Sequence, residues 1–482
     1  MKDLFKHLLN KTQCQKSGIC SVNPIINAVE AVFLNEIRQI AFYMVKLNEL
    51  NLSNREVLKE TIMALSVSIS DTNFNKSAVI NFYRNIKNIK EKVKMFYSEQ
   101  TKDSGIQYEF ITPHFRENPE NITSLIKGGE NIIKEFYNTI NEEKFRLIKT
   151  VILIAKTTAL KIVELSEFKE VDCKYYYETL RLFSLANYKT TREEKFKRRI
   201  KEFSNIIYDI QKELNFELTK SFGKRTGGII KTDVFKGHSI FVLGGDIKEF
   251  HNLLQQTKNE DINIYINPSL LSVVFYPEFQ KFPNFKGLFG TNELEIDFSK
   301  FKGAIYITKN STQVLDLAFR GSIFTTKIIP YDKAVKIEEN NLTPLIEETK
   351  KLAGFDEFTK GDIISFEYDI EKIQNFLDRN KDKNILLSFG DLENKIKEKF
   401  LNYEIINFQY PYETEGLYYI LENTELKNLS IYFSECSKET ITNIISIIDK
   451  KISNIFISNC TTSDINPHII NSLYKDFNVI AV

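Results

Sequence analysis

From His238 to Ser311 the chain alternates short apolar runs with a helical pattern, and this alternation restricts the fold more than any other feature of the sequence. Ser239 to Leu243 reads as a strand, Gly244-Gly245-Asp246 as a turn, and Phe250, Leu253 and Leu254 share one face of an amphipathic helix. A second strand follows at Ile262 to Ile266, and a third, Ala304 to Thr308, closes the unit. Apolar runs of this length joined by helical segments predict a parallel sheet with helical crossovers. Open α/β sheets bind ligands outside the carboxyl ends of their strands. That edge is formed here by Gly244-Gly245-Asp246, Asn267-Pro268-Ser269 and Lys309-Asn310-Ser311.

Ahead of this stretch the pattern is helical almost throughout. Pro24 opens a long helix with Ile26, Val29, Phe33, Ile37, Ile40 and Met44 at three- and four-residue spacing. Ser53 or Asn54 caps a second helix, and a third runs over about 76–99. Further helices are predicted over about 127–139, 141–166, 173–187 and 191–214. Short connections predict two antiparallel bundles, split near 111–125. The stripe Tyr175, Tyr176, Tyr177, Leu180 and Phe183 reads as core rather than a cofactor wall. The basic run at 190–201 contains Glu193 and Glu194, so it reads as a solvated helix face.

The periodicity changes at Phe222-Gly223, and a second strand–helix alternation begins after residue 340, with strand-like runs at Ile363–Phe366, Ile385–Leu387, Ile405–Phe408, Leu429–Phe433 and Ile452–Ile457. The expected fold class is α plus α/β. A helical domain over 1–222 precedes two doubly wound, Rossmann-like α/β domains, at 223–340 and 341–482.

A formal charge of +1 over 482 residues gives no electrostatic case for nucleic acid or an anionic membrane. The longest apolar segment, Leu147 to Leu165, is broken by Lys149, Lys156 and Lys161, so a buried helix is expected and no membrane span. MKDLFKHLLNK has too short an apolar part for a signal peptide, and a cytoplasmic location is expected. Five cysteines make no disulfide framework. There is no Gly-x4-Gly-Lys-Ser/Thr loop, no His-Glu-x2-His and no Gly-x-Ser-x-Gly. SFGKRTGG (221–228) follows a helix rather than a strand and is a weak phosphate loop. His238 and His251 read as satisfied polar residues before metal ligands.

The three loops carry a family resemblance. GGDI from Gly244, INIYINPSLLSVVFYPEF from Ile262, GAIYITKNS from Gly303 and SIFTT from Ser322 follow, without a gap, the frame of the hybrid cluster (prismane) proteins, often called hydroxylamine reductases. The resemblance extends more distantly to the nickel carbon monoxide dehydrogenases, which share the fold of the hybrid cluster family. In that family the loops read Gly-His-Asp-Leu, Thr-His-x-Glu-Met-Leu-Pro-Ala-His and Thr-Thr-Asn-Cys, and their His, Glu and Cys bind an iron–oxygen–sulfur hybrid cluster. The resemblance places Gly245, Ser269 and Ser311 at those positions. Ser437 and Glu439 stand where a glutamate and a lysine near the cluster would be. Glycine has no donor atom, and a serine hydroxyl is a poor iron ligand beside a thiolate. Three more cysteines are expected from the second half, yet none lies between Cys173 and Cys436. Cys436 and Cys460 read as small apolar residues.

Family members open with four cysteines for a cubane. Cys14 and Cys20 fit the second, Cys-x5-Cys pair, and the first pair is missing. Two readings stay open: free thiols, or one [4Fe-4S] cluster shared across a dimer, two ligands from each copy. The function expected is that of a family member without hybrid-cluster ligands, acting as a non-catalytic interaction or regulatory protein. It would form a homodimer or a heteromer with an intact relative. The alternative is an iron–sulfur oxidoreductase or electron-transfer protein with its cluster at Cys14 and Cys20. A third is a small-ligand protein using the space beside Gly245, Ser269, Ser311 and Ser437.

Overall fold

The structure is a computed structural model. It describes residues 23–481 except 53, 70–71, 103–120, 186–190, 291–296, 312–318, 320, 367–369, 390–396, 409–416, 419, 422–427, 435–437, 448–451 and 458–477.

The helical half comprises α1 (Pro24–Glu49), α2 (Arg55–Ser66), α3 (Lys76–Thr101), α4 (Ile122–Thr139), α5 (Glu142–Ser166), α6 (Cys173–Ser184) and α7 (Glu193–Phe222). Their starts follow from capping chemistry. The side chains of Asn23, Asn54, Asn75, Asn121, Asn141 and Asp172 each accept a first-turn backbone N–H. Pro24 sits where a helix needs no N–H. The apolar stripe of α1 is buried as its spacing predicts, and Tyr175, Tyr176, Leu180 and Phe183 are core residues.

Helices from both sides of residue 121 share one core: α1 packs against α3, α4 and α6, and α5 against α2, α6 and α7. Gly129 explains the intimacy of α1 and α4, since a Cβ there would stand 1.8 Å from the Ala28 carbonyl oxygen. Only a bare Cα lets these two helices meet backbone to backbone. At the charged start of α7, Lys197 pairs with Glu143 (2.8 Å) and the half-buried Arg199 with Glu178 (2.9 Å), while Arg198 and Lys201 are exposed.

After α7 come β1 (Gly228–Lys231), β2 (His238–Leu243), α8 (Ile247–Thr257), β3 (Ile262–Ile266), β4 (Phe285–Leu288), β5 (Ala304–Ile307), β6 (Ile323–Thr325), β7 (Val335–Lys336) and α9 (Thr343–Lys351). The first large sheet is parallel, in the order β4-β3-β2-β5-β6-β7. This is the doubly wound order in which the chain steps outward in one direction from β2 and in the other from β5. Every residue of β5 and all of β2 beyond His238 are buried, as a sheet covered on both faces requires.

The remaining described elements are β8 (Ile363–Phe366), α10 (Ile370–Arg379), β9 (Ile385–Phe389), β10 (Glu404–Phe408), β11 (Leu429–Phe433), α11 (Lys438–Ile447), β12 (Ile452–Ile457) and β13 (Asn478–Ala481). A second parallel sheet runs β10-β9-β11-β12-β13, the other common doubly wound order. The fold class expected from the sequence is the one observed. One strand is misplaced by the sequence reading, however. Ile363–Phe366 does not enter the second sheet but pairs antiparallel with β1, Gly228 opposite Phe366. Its apolar run resembles a buried strand, yet only alternate residues face inward, and Ile363 stays exposed. Similarly α9 packs on β2 and β5 of the first sheet. The second unit docks on the helical half through α11, which lies against α5 and α7.

Candidate functional site

Because β3, β2 and β5 are neighbours, their carboxyl-end loops converge, and the gap between β2 and β5 is the switch point of the sheet. The structure thus brings Gly245, Ser269 and Ser311 together as the sequence predicts. Side-chain amides knit these loops. Gly244 N–H donates to Asn267 Oδ1 (3.2 Å), and Asn267 Nδ2 to Ser269 Oγ (3.1 Å). Gly245 N–H donates to Asn310 Oδ1 (3.1 Å), which also accepts from Thr308 Oγ1 (2.8 Å). Gly244 has a φ of +119°, and a Cβ there would stand 2.0 Å from Thr308 Oγ1. Position 245 is less tight, with the nearest atom, the Ser269 carbonyl oxygen, 3.3 Å from a built Cβ.

Ser311 is buried, and its carbonyl accepts from Lys327 Nζ. Lys327 is itself buried, which pushes its ammonium pKa down to about 8. Of the three expected positions, one is a bare Cα and two carry neutral hydroxyls, and none offers a thiolate, imidazole or carboxylate.

Below the loops lies a charged node that sequence reasoning missed. Lys309 Nζ contacts Glu167, Asp246 (3.4 Å), Glu249 (3.6 Å) and Glu339 (3.3 Å). Asp246 caps α8 by accepting from Glu249 N–H at 2.9 Å, which fixes both carboxylates at the helix start. Glu249 is fully buried and accepts from Tyr306 Oη (2.9 Å) and Thr326 Oγ1 (2.8 Å). Glu167 arrives from the helical half, one residue beyond α5, where Lys248 Nζ donates to its backbone carbonyl. Burial, with Asp246 nearby, pushes Glu249 up to about 7 and Glu167 up to about 9. Glu164 is raised to about 7, chiefly by burial. Burial opposes the charge of Lys309, but Asp246, Glu167 and Glu249 hold its pKa above the usual lysine value. A negatively charged helix start of this kind disfavours a phosphate ligand.

The other sequence candidates fall away from this site. His238 Nδ1 lies 2.9 Å from the Leu352 carbonyl oxygen, and His251 packs among the rings of Phe222, Phe279 and Phe282, 3.6 Å from Glu278. Arg225 of the SFGKRTGG segment is buried over the Phe275 ring, 4.5 Å from its centroid. Glu439 is the second residue of α11. Ser437, Cys14, Cys20, Cys436 and Cys460 lie outside the described residues. Cys173, at the start of α6, is a half-buried free thiol. Among the described residues no group of three or more His, Cys, Asp and Glu is arranged to hold a metal ion, and no helix is long and apolar enough to cross a membrane.

A helical half followed by two doubly wound sheets, with loops converging at the switch point of the first, defines the class of this protein. The chain belongs to the Prismane/CO dehydrogenase family, whose model matches residues 9–480. The membership read from the strand-end loops is thereby confirmed. A hydroxylamine reductase of Thermodesulfovibrio yellowstonii is 23% identical over 354 residues, covering 71% of this chain and 64% of that protein. One from Rippkaea orientalis is 26% identical over 370 residues, covering 74% of this chain and 66% of its own length. One from Solidesulfovibrio magneticus reaches 34% identity, over 139 residues, 28% of this chain and 26% of that protein. The chain thus spans less than two thirds of the length of these curated relatives. Among solved structures, a Ni-free carbon monoxide dehydrogenase from Thermococcus sp. AM4 aligns over 96% of this chain and 84% of its own, with 10% identity and a TM-score of 0.43.

Proposed function

We propose that this chain retains the family fold as a non-catalytic interaction or regulatory protein, with no hybrid cluster at the strand ends. The observation that carries this reading is the closure of the three loops over Gly245, Ser269 and Ser311. The backbone of Gly245 and the hydroxyl of Ser269 are engaged by Asn310 and Asn267, and a lysine sits on the Ser311 carbonyl. These residues do not fit a cluster that needs thiolate, imidazole and carboxylate anchors. The surface such a protein would use faces a second copy or an intact relative, and we place it in the cytoplasm, without nucleic acid.

A second reading rests on Cys14 and Cys20, which fall inside the family match at residues 9–480. If these thiolates anchor half of a cubane, a dimer would complete it, and the protein would transfer electrons without reducing substrate. Both readings give one expected result. Anaerobically purified protein supplied with a reduced dye should convert no hydroxylamine to ammonia above the dye blank. Turnover that disappears on Ser269→Ala or Ser311→Ala substitution would refute the assignment.

A further inference from the structure

The node around Lys309 lies where the helical half meets the first sheet, and its charges do not balance. Four carboxylates from three segments face one ammonium: Glu167 beyond α5, Asp246 and Glu249 at the start of α8, and Glu339 after β7. Like-charged carboxylates that share a poorly solvated site cannot all ionise, so some must hold protons while they stay together. The geometry points to a proton-held seam: the end of α5 stays docked on the first sheet while these surplus carboxylates keep their protons, and alkaline pH releases it.

Among the described residues, the neighbouring cations are shared with other partners. Lys248 donates to the backbone carbonyl of Glu167 rather than to its carboxylate, and its ammonium stands over the Phe168 ring. Lys161, whose charge acts on Glu164, also contacts Gln211. Glu339 takes a further bond from Asn252 Nδ2 (2.9 Å), and Glu249 takes neutral hydroxyls from Tyr306 and Thr326. Lys327, the other cation acting on Glu249, is engaged by the Ser311 carbonyl. The sign follows from the raised carboxyl pKa values. A carboxyl group raised in the closed state contributes stability that is complete below its exposed pKa and is lost as pH climbs through its closed-state value. The loss therefore begins just above the ordinary carboxylate value and is complete near 7 for Glu249 and Glu164 and near 9 for Glu167, so Glu167 carries it through the alkaline side. Lys309, raised above the usual lysine value, stays charged throughout.

The test is amide hydrogen exchange on the full chain at pH 6 and pH 9, corrected for intrinsic rates. Peptides covering 162–169 and 244–252 should lose more than about tenfold in protection over this interval, the factor that release of one such carboxylate gives. Reference peptides from β9 and β11, in the second sheet, should not change. Glu167→Gln/Glu249→Gln, which imitates the protonated state, should keep the seam protected at pH 9. If the double variant does not fold, Glu167→Gln alone should still remove part of the pH dependence. Seam protection that follows the reference strands in wild type, or a foldable variant that opens as wild type does, would overturn the inference. Because neither outcome involves iron or turnover, it stands or falls apart from the proposed function.

Discussion

Replacing Lys309 by methionine is expected to destabilise the protein by about 3–5 kcal/mol at pH 8, the range for removing one partner from a buried ion pair. Lys309 is the one ammonium touching Glu167, Asp246, Glu249 and Glu339 among the described contacts, and Glu249 has no access to solvent. Methionine fills the space but leaves the carboxylates to repel one another. The loss should depend on pH. Glu249 and Glu167 already have raised pKa values, and without the ammonium they would rise further and be neutral at pH 5. Denaturant midpoints at pH 5 and pH 8 check this. The penalty at pH 5 should be about half that at pH 8 or less, whereas equal penalties would show that Lys309 acts through packing.

The second large effect is expected at Gly244. Alanine there must adopt a φ of +119° and bring its Cβ to 2.0 Å from Thr308 Oγ1 and 3.0 Å from Ser311 Cβ. Strained backbone costs about 1–3 kcal/mol, and the clash in a buried loop adds to it, so a total of about 3 kcal/mol or more is expected. Gly245→Ala is the control. It needs no left-handed backbone, and its nearest neighbour is 3.3 Å from the new Cβ, so it should change stability by less than about 1 kcal/mol. Comparable losses at the two positions would mean that the loops are not closed as described.

The large architecture was legible because it depends on periodicity. The three- and four-residue stripe of α1 and the apolar runs of β2, β3 and β5 state their burial directly. The short strand β8 misled because four apolar-rich residues do not reveal which strand they pair with; that choice is made by β1, which is remote in sequence. At the site, the loops could be located because each begins where an apolar run ends, and the family resemblance then singled out Gly245, Ser269 and Ser311, which follow their strands within four residues. The node could not be read in the same way. Asp246 and Glu249 carry a local signal, the capping spacing, but Glu167 is a C-terminal helix residue like many others until the fold brings Lys309 to it. Asn267 and Asn310 resemble ordinary turn residues, and only their bonds to Gly244 and Gly245 show that they close the loops.

The most direct test of a strand-end site without a cluster is the iron content of a Cys14→Ser/Cys20→Ser double variant, reconstituted anaerobically with iron and sulfide. Removing both N-terminal thiols eliminates the cubane reading, so any remaining cluster must be held by other residues of the chain. The prediction is a folded, colourless protein without stoichiometric iron or acid-labile sulfide, whether or not the wild type takes up a cluster. Iron and sulfide retained in the double variant, and lost when Ser269 and Ser311 are replaced by alanine, would contradict it.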